Sequence, residues 1–187
     1  MANSGIVLVG PPGSGKTSIG LALGVRGYWF EDREAALVTQ YGSIEEFRRQ
    51  KTEAVARLHA GFLEAMRAEP RPWVYESTAL TERDFVARLR EAFGGFAVRL
   101  EVPVETTAGR IANREPGGNL TNDQALIRIQ WQAFTDAYEG MSFDLSVATG
   151  GRSPKEVAAV IDGAFRSRGA ATTQAAPRVM RLQGPRP

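Results

Sequence analysis

The chain has 187 residues, 43% hydrophobic and 24% charged, which suits one globular domain with a substantial core. It has no cysteine, which excludes disulfides, cysteine-ligated metals and thiol nucleophiles, and no apolar run of the ~18 residues that would suggest a membrane span. With no basic, apolar leader at its start, it reads as cytoplasmic, with no membrane partner. The net charge of +2 and the pI of about 9.2 come from the C-terminal end. All 21 acidic residues lie at or before Asp162, and five arginines follow Phe165. Residues 1–165 therefore carry a net charge of −3, and nucleic acid is not expected as a partner.

In chain order, Ile6-Val7-Leu8-Val9 is a β-branched apolar run bounded by glycines, the pattern of a strand buried on both faces. A helix is expected from Gly15 to about Leu23, then a second strand at Tyr28-Trp29-Phe30 that ends in Glu31-Asp32-Arg33-Glu34. Ser43 and Glu46 form a capping box for a long helix carrying Phe47, Val55, Leu58, Phe62 and Met66, ended by Pro70 and Pro72. Trp73-Val74-Tyr75 is a third strand running into Glu76-Ser77-Thr78, and Thr81 is placed to cap a helix to about Phe93. Phe96 to Val102 is a fourth strand, and Pro103 suits the first turn of a helix through Ile111. Asn113 to Asn122, with Pro116-Gly117-Gly118, reads as a mobile loop. A helix over about 123–138 and a strand at Asp144–Ala148 follow. Ser153-Pro154-Lys155-Glu156 starts the last helix. Residues 167–187 are expected to be a disordered Ala/Pro/Arg tail. Strands alternating with helices predict an α/β fold: a three-layer α/β/α sandwich on a five-stranded parallel sheet, with ligands at the carboxyl ends of the strands.

The strongest chemical signal is Gly10-Pro11-Pro12-Gly13-Ser14-Gly15-Lys16-Thr17, followed by Ser18. It matches G-x-x-x-x-G-K-[ST] in full and sits between a predicted strand and a predicted helix. Gly10, Gly13 and Gly15 allow the backbone to curl its N–H groups around one anion, and the helix adds the positive end of its dipole. Lys16 supplies a point charge for the β- and γ-phosphates, and the Thr17 hydroxyl is a Mg²⁺ ligand. ATP and Mg²⁺ are the expected cofactors. Asp32, with Glu34 second, ends strand two across the cleft, where a carboxylate could meet a Mg²⁺-bound water or an acceptor hydroxyl. The alternative for this pair is a solvated acidic turn. Glu76 ends strand three, and a buried carboxylate there is costly unless paired. Contact with metal, water or substrate and a capping or salt-bridge role are all open for it. Ser77 and Thr78 either touch substrate or start a turn. Arg110 and Arg114 share a helical face beside the Pro-Gly-Gly loop and suit adenine stacking and phosphate clamping. Arg48 either holds an anionic substrate or lies on a solvated helix face. His59, the single histidine, is assigned no role.

With those residues in view, the chain resembles small P-loop kinases of the shikimate kinase and gluconate kinase group, within the nucleoside-kinase-like P-loop NTPases. The resemblance covers about residues 5–165. It is carried by the phosphate loop, by Phe30-x-Asp32-x-Glu34 with Gly42 eight residues on, and by Tyr138-Glu139 leading into Asp144–Thr149. It implies a kinase domain over 1–166 with a lid at about 112–122. It also implies Asp32 as the acid near the Mg²⁺ water and acceptor hydroxyl, Arg110 stacked on adenine and Arg114 as the lid arginine. The turn containing Gly150 would flank the adenine. Glu76-Ser77-Thr78 stands where shikimate kinases carry Gly-Gly-Gly, and Arg114-Glu115-Pro116 replaces their R-P-L lid, so shikimate is not implied as the acceptor. Ser77-Thr78-Ala79-Leu80 with Arg83-Asp84 is closer to gluconate kinases. The expected activity is transfer of the γ-phosphoryl of ATP to a hydroxyl of a small molecule by a monomer or homodimer. The alternatives are a polynucleotide 5′-hydroxyl kinase and a nucleotide-binding regulatory protein without transfer activity.

Overall fold

Five parallel strands form one sheet in the order β2–β3–β1–β4–β5, with helices on both faces. The computed structural model describes residues 4–42, 46, 49, 51–113 and 124–174. The strands are β1 (Gly5–Val9), β2 (Trp29–Phe30), β3 (Trp73–Ser77), β4 (Phe96–Glu101) and β5 (Leu145–Ala148). The helices are α1 (Lys16–Gly24), α2 (Arg33–Tyr41), α3 (Lys51–Ala68), α4 (Arg83–Phe93), α5 (Val104–Ala112), α6 (Gln124–Ala137) and α7 (Pro154–Gln174). Among the described residues, no helix is long and apolar enough to cross a membrane.

β1 lies at the centre because both its faces are apolar. Ile6, Val7, Leu8 and Val9 are all fully buried. At ~1.5–3 kcal/mol per large apolar side chain, this one strand contributes at most about 6–12 kcal/mol of burial. The period-2 alternation of a strand divides the run. Val7 and Val9 pack with Phe62 and Met66 of α3, Phe85 and Leu89 of α4 and Phe134 of α6. Ile6 and Leu8 pack with Ile19 and Leu23 of α1 and Val157 and Ile161 of α7. The register pairs Leu8 with Glu76 and Val9 with Ser77, so consecutive residues at the end of β3 face opposite layers. Glu76 is on the α1 side, and Ser77 is on the α4 side.

Two glycines permit close approaches that fix the frame. A Cβ at Gly5 would lie 2.1 Å from the Trp73 indole and 2.3 Å from the Trp73 carbonyl oxygen. A Cβ at Gly20 would lie 2.4 Å from the Phe30 ring, which rests on α1 and brings the end of β2 beside the start of that helix.

Three elements differ from the sequence expectation. The turn after β2 is a helix, α2, because Asp32 caps it: its Oδ1 accepts the Ala35 N–H at 3.1 Å. Helix α4 starts after Glu82 without a side-chain cap, and Thr81 is exposed and outside it. Helix α7 runs to Gln174, eight residues into the segment expected to be a disordered tail. The extension is anchored by the Ser167 hydroxyl donating to the Gly163 carbonyl and by Arg168 lying over the Phe96 ring. Its start matches the expectation: Ser153 and Glu156 exchange hydrogen bonds as a capping box. Ser43 and residues 175–187 lie outside the described residues.

Candidate active site

The loop after β1 is shaped for an anion. Gly13 has φ 78° and Gly15 φ 93°, conformations that L side chains rarely adopt. Gly13 has no room either, since a Cβ there would lie 2.9 Å from the Thr107 methyl and 3.0 Å from the Thr107 carbonyl oxygen. Gly15 begins α1 without a side-chain cap, and the first turn of α1 holds no acidic residue. The first amides of the helix therefore have no side-chain acceptor, the arrangement that makes a helix N-terminus an anion site. The Lys16 ammonium folds over the loop and donates to the carbonyls of Gly10 at 2.8 Å and Pro11 at 2.9 Å. Pro11 and Ser14 are buried and Pro12 is half-buried, while Ser18 is exposed in the first turn of α1. The Ser14 hydroxyl is buried without a hydrogen-bond partner.

Beside this loop, the Thr17 hydroxyl donates to Glu76 Oε2 at 3.0 Å. Glu76 is only 6% exposed. Burial pushes its carboxyl above the ordinary range, while Lys16 and the Thr17 hydrogen bond pull it down and Asp32 adds to the rise. A hydroxyl and a carboxylate in contact, next to a phosphate loop, form the oxygen donor set that suits Mg²⁺, which is held by few protein ligands and completed by phosphates and water. Among the described residues, no group of three acidic or histidine side chains offers an alternative cage. The residues present therefore fit Mg²⁺ bound together with a nucleotide. Of the two carboxylates weighed from sequence, Glu76 touches Thr17, whereas Asp32 caps α2 while remaining within electrostatic reach of Glu76.

Ser77 faces away from Thr17. It is buried, and its hydroxyl donates to Glu82 Oε2 at 2.7 Å and accepts the Ala79 N–H at 2.9 Å. Ala79 is the one non-glycine with positive φ, 58°, among the described residues, and Thr78 between them is half-buried. Glu82 collects further donors: Arg33 through two bonds of 2.7 and 2.9 Å, Tyr75 at 3.2 Å and a contact with His59 Nε2 at 3.0 Å. Burial alone would raise the Glu82 carboxyl, but His59, Arg33 and Ser77 override it and hold it far below the ordinary range. Arg33 also donates to the Glu76 carbonyl at 3.2 Å and covers the Tyr75 ring. The group thus ties the start of α2 to the end of β3, next to both Asp32 and Glu76. Sequence reasoning missed Arg33, Glu82 and His59 here. The one available signal was an acid five residues beyond Ser77, at the start of an amphipathic helix.

Arg110, at the end of α5, bridges the loop and the end of β5. It donates to the Gly13 carbonyl at 3.2 Å and to the Thr149 carbonyl at 3.0 Å. Thr149 is buried and held to the Glu101 carbonyl at 2.9 Å, while Gly150 and Gly151 beyond it are exposed. Arg110 and the turn at Gly150 therefore share one rim of the phosphate loop. Arg114, residues 114–122 of the expected lid and Arg48 lie outside the described residues. Glu34 falls in the first turn of α2.

No protein-family model and no curated protein sequence matches the chain. Solved structures do. Shikimate kinase from Acinetobacter baumannii in complex with shikimate superposes with a TM-score of 0.60 at 18% identity, covering 90% of this chain and 95% of that one. A gluconokinase from Sinorhizobium meliloti gives 0.58 at 21%, covering 94% and 99%. The Mycobacterium tuberculosis APS kinase in complex with AMPPNP and APS gives 0.55 at 16%, covering 88% and 99%. The chain has the α/β fold of P-loop kinases like those of the shikimate and gluconate kinase group, from end to end of its neighbours.

Proposed function

We propose that the chain is an ATP- and Mg²⁺-dependent phosphotransferase acting on a hydroxyl of a small molecule. The observation that carries this reading is the contact of Thr17 with buried Glu76 beside an uncapped helix N-terminus and Lys16. The structural neighbours named for small acceptors, shikimate and gluconate among them, support it. So does the neighbour bound to an ATP analogue.

In this reading, the amides of Gly13, Gly15 and Lys16 and the Lys16 ammonium bind and orient the β- and γ-phosphates. Thr17 and Glu76 would hold Mg²⁺, which neutralises the phosphate charge when bound. Asp32, within electrostatic reach of Glu76, orients the acceptor hydroxyl and takes its proton. In the same reading Arg110, at the rim by Gly150, stacks on the base, and Arg114 supplies positive charge from the lid. Glu34, Arg48 and Thr78 are candidate acceptor contacts, and Ser77 shapes the floor through Glu82. Because transfer of this kind is mostly positioning and charge stabilisation, the Arg33–Glu82 clamp has a role in fixing Asp32 and Glu76 relative to each other.

The test is ADP release from Mg²⁺-ATP against a panel of alcohols: sugar acids, shikimate, nucleosides, hydroxylated antibiotics and 5′-hydroxyl oligonucleotides, with Lys16→Ala as the blank. The expected result is release raised well above basal by one class of small acceptor. Stimulation by oligonucleotides alone would replace the small-molecule reading with a polynucleotide kinase, and a flat panel with intact nucleotide binding would favour a regulatory role.

A further inference from the structure

A second basic cavity lies away from the phosphate loop. It has a volume of about 430 Å³ between one face of α4 and the turn that precedes β5, within the ~300–1,000 Å³ common for small-molecule sites. Gly95, Met141 and Ser142 line it just before β4 and β5 begin, so it belongs to the amino-terminal ends of these strands. The phosphate loop leaves the carboxyl end of β1.

Three guanidinium groups converge there. Arg83 and Arg90 come from α4, seven residues and two turns apart on one face, and Arg168 comes from the last part of α7. One acid, Glu91, also lines the space, beside apolar Val86 and Met141. Arg83 and Arg90 are held in place largely through neutral carbonyls. Arg83 donates to the Glu139 carbonyl at 2.6 Å, and Arg90 donates to the Ser142 carbonyl at 2.5 Å. Behind them lies the carboxylate of Asp144, whose Oδ2 accepts the Ala97 amide at 2.8 Å. Its ion pairs with Arg90 and Arg168 are long, at 3.5 and 3.9 Å. The Arg90 Nε is buried without an acceptor. Arg83 and Arg90 are thus preorganised cations whose charge is only partly answered, and a planar five-donor guanidinium suits the oxygens of a phosphate. Half-buried Ala87 and Met141 give a carbon skeleton somewhere to lie.

We propose that this cavity is a second ligand site, distinct from the nucleotide site, for a phosphorylated small molecule. The phosphate sits among Arg83, Arg90 and Arg168.

The test titrates pyrophosphate, with citrate as the carboxylate control, into isotope-labelled full-length protein carrying Lys16→Ala to weaken the phosphate loop. Amide NMR shifts are followed. The expected result is saturable shifts at Arg83, Gly95 and Met141, with pyrophosphate binding at least tenfold tighter than citrate. Pyrophosphate binding should weaken at least tenfold in R83Q/R168Q. If that pair does not fold, R83Q alone, at an exposed residue, should weaken binding at least threefold. Shifts confined to residues 10–17, equal affinity in parent and variant, or citrate binding as tightly as pyrophosphate would each overturn the proposal.

Discussion

Replacing Glu82 by Gln removes one charge from the most heavily hydrogen-bonded carboxylate among the described residues and leaves Arg33 in place. The Arg33 side chain is 18% exposed and that of Glu82 9%, so little solvent is available to take over. Breaking a buried pair by removing one partner costs ~3–5 kcal/mol, because the remaining charge is left uncompensated. Gln keeps one acceptor oxygen for Arg33, Tyr75 or Ser77, so the low end, about 3 kcal/mol, is expected. For a chain of this length, about 2–4 °C per kcal/mol converts that to a fall in Tm of roughly 6–12 °C, read by circular dichroism at pH 7. The pH dependence has a definite sign. The Glu82 carboxyl is depressed in the folded state, so its contribution is complete above the unfolded value near 4.5 and is lost as pH falls below it. The parent should therefore lose stability steeply below about pH 4.5, and the variant more gently. Adding Arg33→Met to Glu82→Gln should recover part of the loss, since no charge is then stranded. A fall in Tm under about 2 °C in the single variant, or an unchanged acid limb, would refute the idea that Glu82 organises this corner.

Asp32→Asn separates a cap from a catalytic group. Asn caps as well as Asp, so stability should stay within ~0.5 kcal/mol while acceptor-dependent turnover falls ~10²–10⁴-fold; full turnover in a stable variant would reduce Asp32 to a helix cap. Glu76→Gln should move in the other direction on stability. Its carboxyl is raised in the folded state, so the ionised form costs stability once pH rises through the folded value. At pH 8 the nucleotide-free variant should melt no lower than the parent, yet lose the extra stabilisation that Mg²⁺ adds to ATP, both measurable by thermal shift. Gly5→Ala drives a methyl into the Trp73 indole and carbonyl. A loss of roughly 3 kcal/mol or more in urea unfolding is expected, because the backbone oxygen cannot move aside.

Much of the frame was legible in the sequence. β1 and the phosphate loop are contiguous, and each residue type states its own backbone requirement, as Gly13 and Gly15 do with positive φ. Glu76 could be placed at a strand end, but its contact with Thr17 depends on β3 pairing with β1 in one register, which no local pattern encodes. The Glu82 group was less accessible still. Arg33, His59, Tyr75 and Ser77 come from three separate elements, α2, α3 and β3, and meet only because the sheet order puts β3 between β2 and β1. His59 looked remote from every strand end along the chain, yet in space it stacks on Phe85 and touches Glu82. Helix α2 was hidden because Asp32 was read for its chemistry, although the same residue type is a strong N-cap. The extension of α7 was hidden because its composition offers little apolar burial, and its anchors, Gly163 and Phe96, lie outside the segment itself.

The most direct measurement follows the phosphorus by ³¹P NMR in a reaction of the parent chain with Mg²⁺-ATP and the acceptor that most raises ADP release. A new phosphomonoester signal growing in step with ADP, and absent with Lys16→Ala, is the result expected of a small-molecule kinase. ADP accompanied only by inorganic phosphate, or no ADP at all while ATP remains bound, would contradict it.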